Sequence, residues 1–550
     1  MSDKPKTKYI FVVGGVISGV GKGVTSSSIA RILQDRGYRT TAVKIDPYVN
    51  IDAGTMNPTE HGEVFVLDDG YETDQDIGNY ERFLNTNLSS DNYMTTGRVY
   101  QSVIERERNL EYGGKCVQVV PHVPMEVVER IKKAGNDYNA EVVMIEIGGT
   151  IGEYENILFL EAARMMKIEN PGDVMFVMVS FLPAPQSVGE MKTKPTQHAV
   201  RTMRESGVSP DMIIARSSEP MDEKRREKIA FFCGVPEDHV IPAPDAKSIY
   251  TIPIAFEHAG VGDCVVDILS LEPKTGSALD QKEWERFVHA TESLTQDVNI
   301  AVVGKYFATG DFVLSDAYIS VIEAIKFSAY SLGVNPKLHW LNAVDFENED
   351  NLTQLDEFDG VVVPGGFGET GISGKINVIQ YARQNNIPYF GLCYGMQLLV
   401  VEYARNILGI HDANTVEIDP DTINPVIHTM ASQKRHLNEG KYGGTMRLGA
   451  YPAILAPDTI AHEAYGRERI TERHRHRYEV NNKYVPDLER AGLIFSGTSP
   501  DGQLMEIAEL PTDIHPFFVG VQFHPEFLAR PLSPHPLFTK FVEVCTSFEK

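Results

Sequence analysis

The residues best suited to covalent chemistry are Cys393, in "IPYFGLCYGMQLLV", and His524 with Glu526, in "GVQFHPEF". An apolar strand running through Gly391-Leu-Cys-Tyr-Gly395 into a helix makes a sharp turn. That turn exposes the thiol and aims the positive helix N-terminus at it, which favours thiolate. A cysteine in G-x-C-x-G is equally an ordinary buried thiol beside a tight turn; the His-Pro-Glu run decides between the two. On a strand, positions i and i+2 face the same side, so His524 can serve as base while Glu526 fixes its tautomer. The N–H of Tyr394 is one candidate oxyanion donor. The other is the N–H of Gly366, from the strand end "VVVPGGFG".

The N-terminal run "YIFVVGGVISGVGKGVTSSSIA" reads as strand, glycine-rich turn, lysine and helix, the pattern of a loop whose N–H groups cradle phosphates. Lys22 is followed by Gly23 where such loops place the hydroxyl that ligates Mg2+, so the metal must be held elsewhere. Two carboxylates are available. Asp76 lies in the acidic "DDGYETDQD", which alone reads as a solvated loop. Glu146 ends the apolar run of "EVVMIEIGGTIG", where an unpaired carboxylate is costly. Mg2+ on a nucleotide takes one or two protein carboxylates beside phosphate oxygens, which makes Asp76 with Glu146 the economical pair.

In "GEMKTKPTQHAV", Lys192 and Lys194 flank Thr193 and Pro195 fixes the turn, so the segment could hold a second anionic substrate; judged alone it is a solvated basic loop. Lys228, in "DEKRREKIAFF", is most simply a surface charge. The tract "ERHRHRYEVN" offers His474 and His476 as metal ligands, but they alternate with Arg and have no Cys partner nearby.

The elements that position these residues form two series. Apolar strand-like runs ("YIFVVGG", "TAVKID", "KCVQVVPHV", "EVVMIEIGGT", "DVMFVMVS", "DMIIARS") alternate with helical stretches, the pattern of a parallel sheet covered on both faces. A second series ("NIAVVGKY", "PKLHWLNA", "DGVVVPGGFG", "IPYFGLCYG", "FFVGVQFHPEF") begins the same way. The fold class expected is α/β, two tandem three-layer domains with mainly parallel sheets, the first P-loop-like. The boundaries expected are 1–272, a linker at 273–297, and 298–550. The linker's second half has a helical spacing of Trp284, Phe287 and Val288.

A chain of 550 residues exceeds what one core usually supports. A net charge of −25 argues against nucleic acid or an anionic membrane as the main partner. Five scattered cysteines without C-x-x-C fit reduced thiols and a cytoplasmic location, which makes the sequon at Asn87 accidental. No apolar stretch approaches the length of a membrane span.

P-G-G-F-G, G-x-C-x-G-M-Q and F-H-P-E, in this order, resemble the class I glutamine amidotransferases, which release ammonia from glutamine through a Cys thioester. That resemblance implies that Gly366, Tyr394, Gly395, Met396, Gln397, Glu417 and Arg477 bind glutamine. With "GGVISGVGKG", "KIDPYVNIDAGTMNPTEHGEVFVLDDGYETDQDIGNYERF", "EIGGTIGEYE" and "MKTKPTQ" added, nearly the whole chain resembles the CTP synthases. The implied activity is ATP-dependent amination of UTP to CTP through a 4-phosphorylated UTP. The resemblance implies that Gly19, Val20, Gly21, Lys22, Gly23, Lys44, Asp76 and Ala246 bind ATP, with Asp76 and Glu146 on Mg2+. It assigns Ser18, Lys192, Thr193, Lys194, Pro195, Thr196, Gln197 and Lys228 to the UTP triphosphate, and Glu153, Tyr154 and Glu155 to the pyrimidine side. It further implies a homotetramer, feedback by CTP, activation by GTP and, in some members, filaments.

The family pattern G-F-G-x-R-G-x-E-G-K reads "GFGETGISGK" here, with Thr370 and Ser373 in place of Arg and Glu, so a weaker or altered response to GTP is expected. Pro124 stands where the family more often has Thr, with no clear consequence. The alternatives are another glutamine-dependent amidoligase, against which the K-T-K-P-T-Q cations argue, and a nucleotide-sensing filament protein, against which the retained Cys393, His524, Glu526, Asp76 and Glu146 argue.

Overall fold

The computed structural model describes residues 6–185, 190–274, 278–294, 296–305, 315–366, 368–430, 433 and 443–548. It divides into two compact units, Met1–Asp52 with Asn79–Val288, and Ala53–Gly78 with His289–Lys550.

The first nine strands are β1 (Lys8–Gly15), β2 (Thr40–Asp46), β3 (Val64–Val66), β4 (Glu72–Asp74), β5 (Tyr93–Thr95), β6 (Val142–Thr150), β7 (Val174–Phe181), β8 (Met212–Ser217) and β9 (Val240–Pro244). All but β3 and β4 form the parallel sheet of the first unit, in the order β5-β2-β6-β1-β7-β8-β9. Its strands are apolar on both faces because helices cover both sides. Phe11, Val13, Val43, Ile45, Val143 and Ile145 join one core with residues of the helices Val119–Asp137 and Ile157–Glu169. Since the strands are parallel, the carboxyl ends of β1, β2 and β6 share one edge, where ligands of such sheets bind.

The run "KCVQVVPHV", expected as a strand, is not one: residues 115–118 are irregular and the helix Val119–Asp137 follows. Pro121 and Pro124 have no N–H for a ladder, and Val119 and Val120 are about half exposed, so the apolar run is not a buried one. The helical spacing near the expected linker does give a helix, Ala278–Glu292. Trp284, Phe287 and Val288 are buried, and Trp284 Nε1 donates to the Tyr250 carbonyl at 3.0 Å. Residues 275–277 and 295 of that linker lie outside the described residues.

The second unit adds β10 (Gln296–Gly304), β11 (Val334–Asn342), β12 (Gly360–Val363), β13 (Tyr389–Leu392), β14 (Ala413–Thr415), β15 (Asn424–Thr429), β16 (Arg447–Leu455), β17 (Arg469–His476), β18 (Tyr478–Val480), β19 (Ile494–Thr498), β20 (Met505–Glu509) and β21 (Phe518–Val521). Its main sheet has the order β11-β10-β12-β13-β21-β20-β19-β16-β17, parallel from β11 to β21 and antiparallel beyond. The strands β14, β15 and β18 form a small sheet.

The antiparallel hairpin β3–β4 belongs to this second unit although it lies early in the chain. Arg473 and Arg475 of β17 hold it through Asp68 at 2.5 Å and Glu72 at 2.8 Å. Gly70 and Gly449 let the backbones touch: a Cβ on Gly449, whose φ is 95°, would stand 2.6 Å from the Gly70 nitrogen. Among the described residues no helix is long and apolar enough to cross a membrane.

Candidate active sites

Cys393 ends β13 and caps the helix Tyr394–Asn406, with φ 49° and ψ −96°. A non-glycine residue holds such a conformation only where its surroundings enforce it. Here the Cys393 N–H donates to the Val521 carbonyl at 2.6 Å, and a Cβ on Gly395 would fall 2.3 Å from the Val363 oxygen. The thiol Sγ meets the Gln522 Nε2 donor at 3.6 Å and the Arg475 carbonyl at 3.8 Å. An open pocket joins Cys393 to His524, Glu526, Gly365, Gly366 and Arg475.

His524 Nδ1 and Glu526 Oε1 are 2.7 Å apart, and the His524 ring stacks on Phe527 with 5.0 Å between centroids. The expected pairing holds, but not through a strand. The strand β21 stops at Val521, and His524 caps the 3-10 turn Pro525–Leu528 that carries Glu526. Pro525 suits the first position of such a turn, where no N–H is needed. Burial alone would lower the His524 pKa, but the charges of Glu526 and Cys393 outweigh it and raise His524 to about 10.

Around this centre, Glu417 accepts from the Gly368 N–H at 3.0 Å, and burial pushes its carboxyl above the usual range. Gln397 donates to the Tyr478 carbonyl at 3.0 Å and to Gln522 at 3.2 Å; Met396 and Gly395 lie beside it in the same buried helix. Arg477 donates to Gln433 at 3.1 Å and Thr445 at 2.8 Å.

His474 and His476 are core residues. His474 Nε2 is 2.8 Å from Glu506, which Arg447 also meets at 2.7 Å, and His476 Nδ1 is 2.8 Å from the Tyr478 carbonyl. Among the described residues no group of three or more His, Cys, Asp or Glu could hold a metal ion. Along β17 the alternating residues divide the work: the histidines at 474 and 476 enter the core, while Arg473 and Arg475 take the carboxylates of the hairpin segment.

In the first unit, the loop after β1 turns through Gly19 and Gly21, both left-handed at φ 68° and 91°. It leads into the helix Lys22–Asp35, where Gly23 follows Lys22. Lys22 Nζ donates to the Gly149 carbonyl of β6 at 2.8 Å. Glu146 sits two strand pairs away from the edge, register partner to both Val12 of β1 and Lys44 of β2, and its Oε1 is 3.1 Å from Lys44 Nζ. The Tyr80 hydroxyl meets the other Glu146 oxygen. Asp76, in the Ala53–Gly78 segment of the second unit, opens the helix Gln75–Leu84. Hard carboxylate oxygens of this kind suit Mg2+.

A pocket brings Gly21 together with Ala246, Arg216 and Phe256, while Val20 is buried. Ser18, Glu153, Tyr154 and Glu155 are exposed, apart from the Glu153 carboxylate accepting from the Thr150 N–H at 3.0 Å. The segment at 192–197 opens the helix Lys194–Glu205 rather than forming a free loop, with Pro195 in its first turn. Thr196 bonds Ser180 at 2.8 Å, Gln197 bonds Thr193 at 3.1 Å, and Lys192 pairs with Glu190 at 3.0 Å. Lys228 is exposed on the helix Glu223–Cys233.

Sequence reasoning missed Tyr80, Arg475, Gln522, Lys305 and Lys375. Lys375 alone left a signal: it falls within the core spacing of Ile372, Ile376 and Ile379 on one helix.

The family model for the CTP synthase N-terminus matches residues 8–271, and that for class I glutamine amidotransferases matches residues 313–544. The CTP synthase of Pyrococcus furiosus is 49% identical over 546 residues, covering 99% of each chain. That of Thermococcus gammatolerans is 50% identical over 538 residues, covering 98% of each. A solved glutaminase domain of a Trypanosoma brucei CTPS, with acivicin bound, is 34% identical and covers 46% of this chain and 95% of its own, with a TM-score of 0.42.

Proposed function

The chain belongs to the CTP synthase family, and we propose that its two sites divide the family's reaction, glutamine hydrolysis at Cys393 and amination of UTP near Lys22, Lys44 and Glu146. The enzyme is a glutamine-hydrolysing ligase that makes CTP from UTP, with ATP as the further substrate. The observation that carries the division of labour is the conformation of Cys393 at a helix head, in one pocket with the His524–Glu526 pair.

In the glutaminase half, Glu417 takes the α-ammonium of glutamine and Arg477 its α-carboxylate, with Gly395, Met396 and Gln397 shaping the pocket. His524 accepts the thiol proton, and the sulfur attacks the carboxamide carbon. The N–H groups of Gly366 and Tyr394 receive the resulting oxyanion. The C–N bond breaks as the His524 imidazolium gives its proton to the leaving nitrogen, so ammonia departs and a thioester remains. His524 then deprotonates water, whose attack yields glutamate and restores the thiol, while Glu526 keeps Nδ1 protonated throughout.

In the synthetase half, the N–H groups of Gly19 to Gly23, with Lys22 and Lys44, hold the ATP phosphates, and the cavity at Ala246 takes the base. Asp76 and Glu146 are the residues that would hold Mg2+, which when bound draws charge from the phosphate oxygens. Ser18, the 192–197 segment and Lys228 bind the UTP triphosphate, and Glu153, Tyr154 and Glu155 meet the pyrimidine side. Phosphorylation of uracil O4 makes a leaving group; ammonia adds at C4 and phosphate leaves. CTP competes at the triphosphate site, GTP acts as an activator, and the enzyme works as a cytoplasmic homotetramer able to stack into filaments.

Spectroscopic detection of CTP from UTP and ATP tests the division. Cys393→Ala abolishes the glutamine-dependent reaction and spares the ammonium-dependent one; equal loss of both overturns it.

A further inference from the structure

Lys375 has no part in the mechanism above, yet its side chain is fully buried and its Nζ has no hydrogen-bond partner among the described residues. A buried ammonium without hydrogen bonds is unfavourable unless nearby charge supports it. Among the described residues, the charged and titratable groups facing it come from three elements. Lys305 follows β10, Glu417 follows β14, and the Tyr394 ring heads the helix after Cys393, its centroid 5.5 Å from Nζ. A Cβ on Gly366 would stand 3.9 Å from Lys375 Nζ and 3.7 Å from Lys305 Cε, and one on Gly368 3.6 Å from Lys305 Nζ. Among the described residues, two amines and one carboxylate therefore converge near Gly366 and Gly368.

Among these groups Lys305 repels a charge on Lys375, the Tyr394 hydroxyl stays protonated, and Glu417 alone attracts it. Burial is the largest influence, and the balance leaves Lys375 lowered to about 7. Glutamine brings a third cation, its α-ammonium, to the same carboxylate. We propose that Lys375 is a positioning residue of the glutamine pocket that gives up its proton when the α-ammonium pairs with Glu417. Glutamine binding is then proton-linked: the substrate ammonium displaces a proton rather than adding a charge to a buried cluster. The inference rests on the assignment of Glu417 to the α-ammonium.

The test is calorimetric titration of the full-length Cys393→Ala protein with glutamine, in buffers of different ionisation enthalpy. With Lys375 near 7, about half a proton leaves per site at pH 7, and affinity rises about tenfold from pH 6 to pH 8. Glutaramate, which lacks the α-amino group, releases none. In the Cys393→Ala background, Lys375→Met still binds glutamine but releases no proton and loses the pH dependence. A flat profile in the parent protein overturns the proposal whatever the variant does, and so does undiminished release from a folded Lys375→Met. The Glu417 assignment is read separately: Glu417→Gln weakens glutamine binding if it is right, and parent-like affinity there removes that assignment and this proposal together.

Discussion

Lys44 Nζ stands 3.1 Å from Glu146 Oε1, directly across the paired strands β2 and β6, and both side chains are buried at the carboxyl end of the sheet. One buried cation and one buried carboxylate offset each other's charge there, with the Tyr80 hydroxyl on the other Glu146 oxygen. On the assignment proposed above, phosphate would attract Lys44 and leave Glu146 as a carboxylate that could hold the metal the Gly23 loop cannot ligate. Glu146→Gln should therefore lower CTP formation by about 100-fold or more with glutamine and with ammonium alike. Glutamine hydrolysis should stay within roughly twofold, since Glu146 takes no part in the thioester chemistry at Cys393. Asp76→Asn should behave the same way. Rates with each nitrogen source, beside glutamate release, decide it.

The His524–Glu526 pair sets a second expectation. Glu526 supports the imidazolium against burial, so the raised His524 pKa means that the protonated form persists up to about 10 and is lost as pH rises through it. In Glu526→Gln that support is gone and burial moves the titration downward. The alkaline limb of glutaminase activity should shift to lower pH by at least about one unit, with the rate down at least about tenfold. A pH–rate profile of glutamate release checks this; an unmoved alkaline limb would show that Glu526 does not set the proton affinity of His524.

The local geometry of both candidate sites was legible in residue types and spacing because the turns that hold it are local: glycines around Cys393, glycines before Lys22, a proline between His524 and Glu526. What was not legible depends on contacts far apart in sequence. Nothing in "GEVFVLDDGYETD" marks it as partner to β17, since Asp68 and Glu72 meet Arg473 and Arg475 across some 400 positions. The strand assigned to His524 failed because β21 ends three residues earlier, and an apolar run ending in His-Pro carries no sign of where its ladder stops. The helix at Val119–Asp137 was hidden by valines whose side chains face outward. The spacing already argued against a metal at His474 and His476, but sequence does not reveal the Glu506 and Arg447 partners that hold them in the core.

Thr370 and Ser373 are exposed at the start of the helix Ile372–Gln384. A threonine there offers one hydroxyl where an arginine would offer a charged, planar fork. GTP should therefore stimulate glutamine-dependent CTP formation weakly, and Thr370→Arg should increase the stimulation severalfold without altering the ammonium-dependent rate. The assay is CTP formation across a GTP titration for both proteins. A stimulation that Thr370→Arg leaves unchanged would remove this position from GTP recognition.

Glu506, in β20, ties β17 to acid stability through His474. It is fully buried, and burial alone would raise its pKa, but His474 and Arg447 bring it down to about 2. A carboxylate with a depressed folded-state pKa stabilises the protein above its unfolded value of about 4.3, and the contribution disappears as pH falls towards 2. Glu506→Gln removes that titration and leaves Arg447 with an uncompensated buried charge, a change that costs about 3 kcal/mol or more at pH 7. The substitution should lower the thermal unfolding midpoint at pH 7 and narrow the gap from wild type progressively between pH 4 and pH 2. Because Arg473 and Arg475 ride on the same strand as His474, glutaminase activity should fall before the unit unfolds. Unfolding and glutamate release measured across that range on both proteins test the coupling, and a gap independent of pH would show that Glu506 is not charged in the folded state.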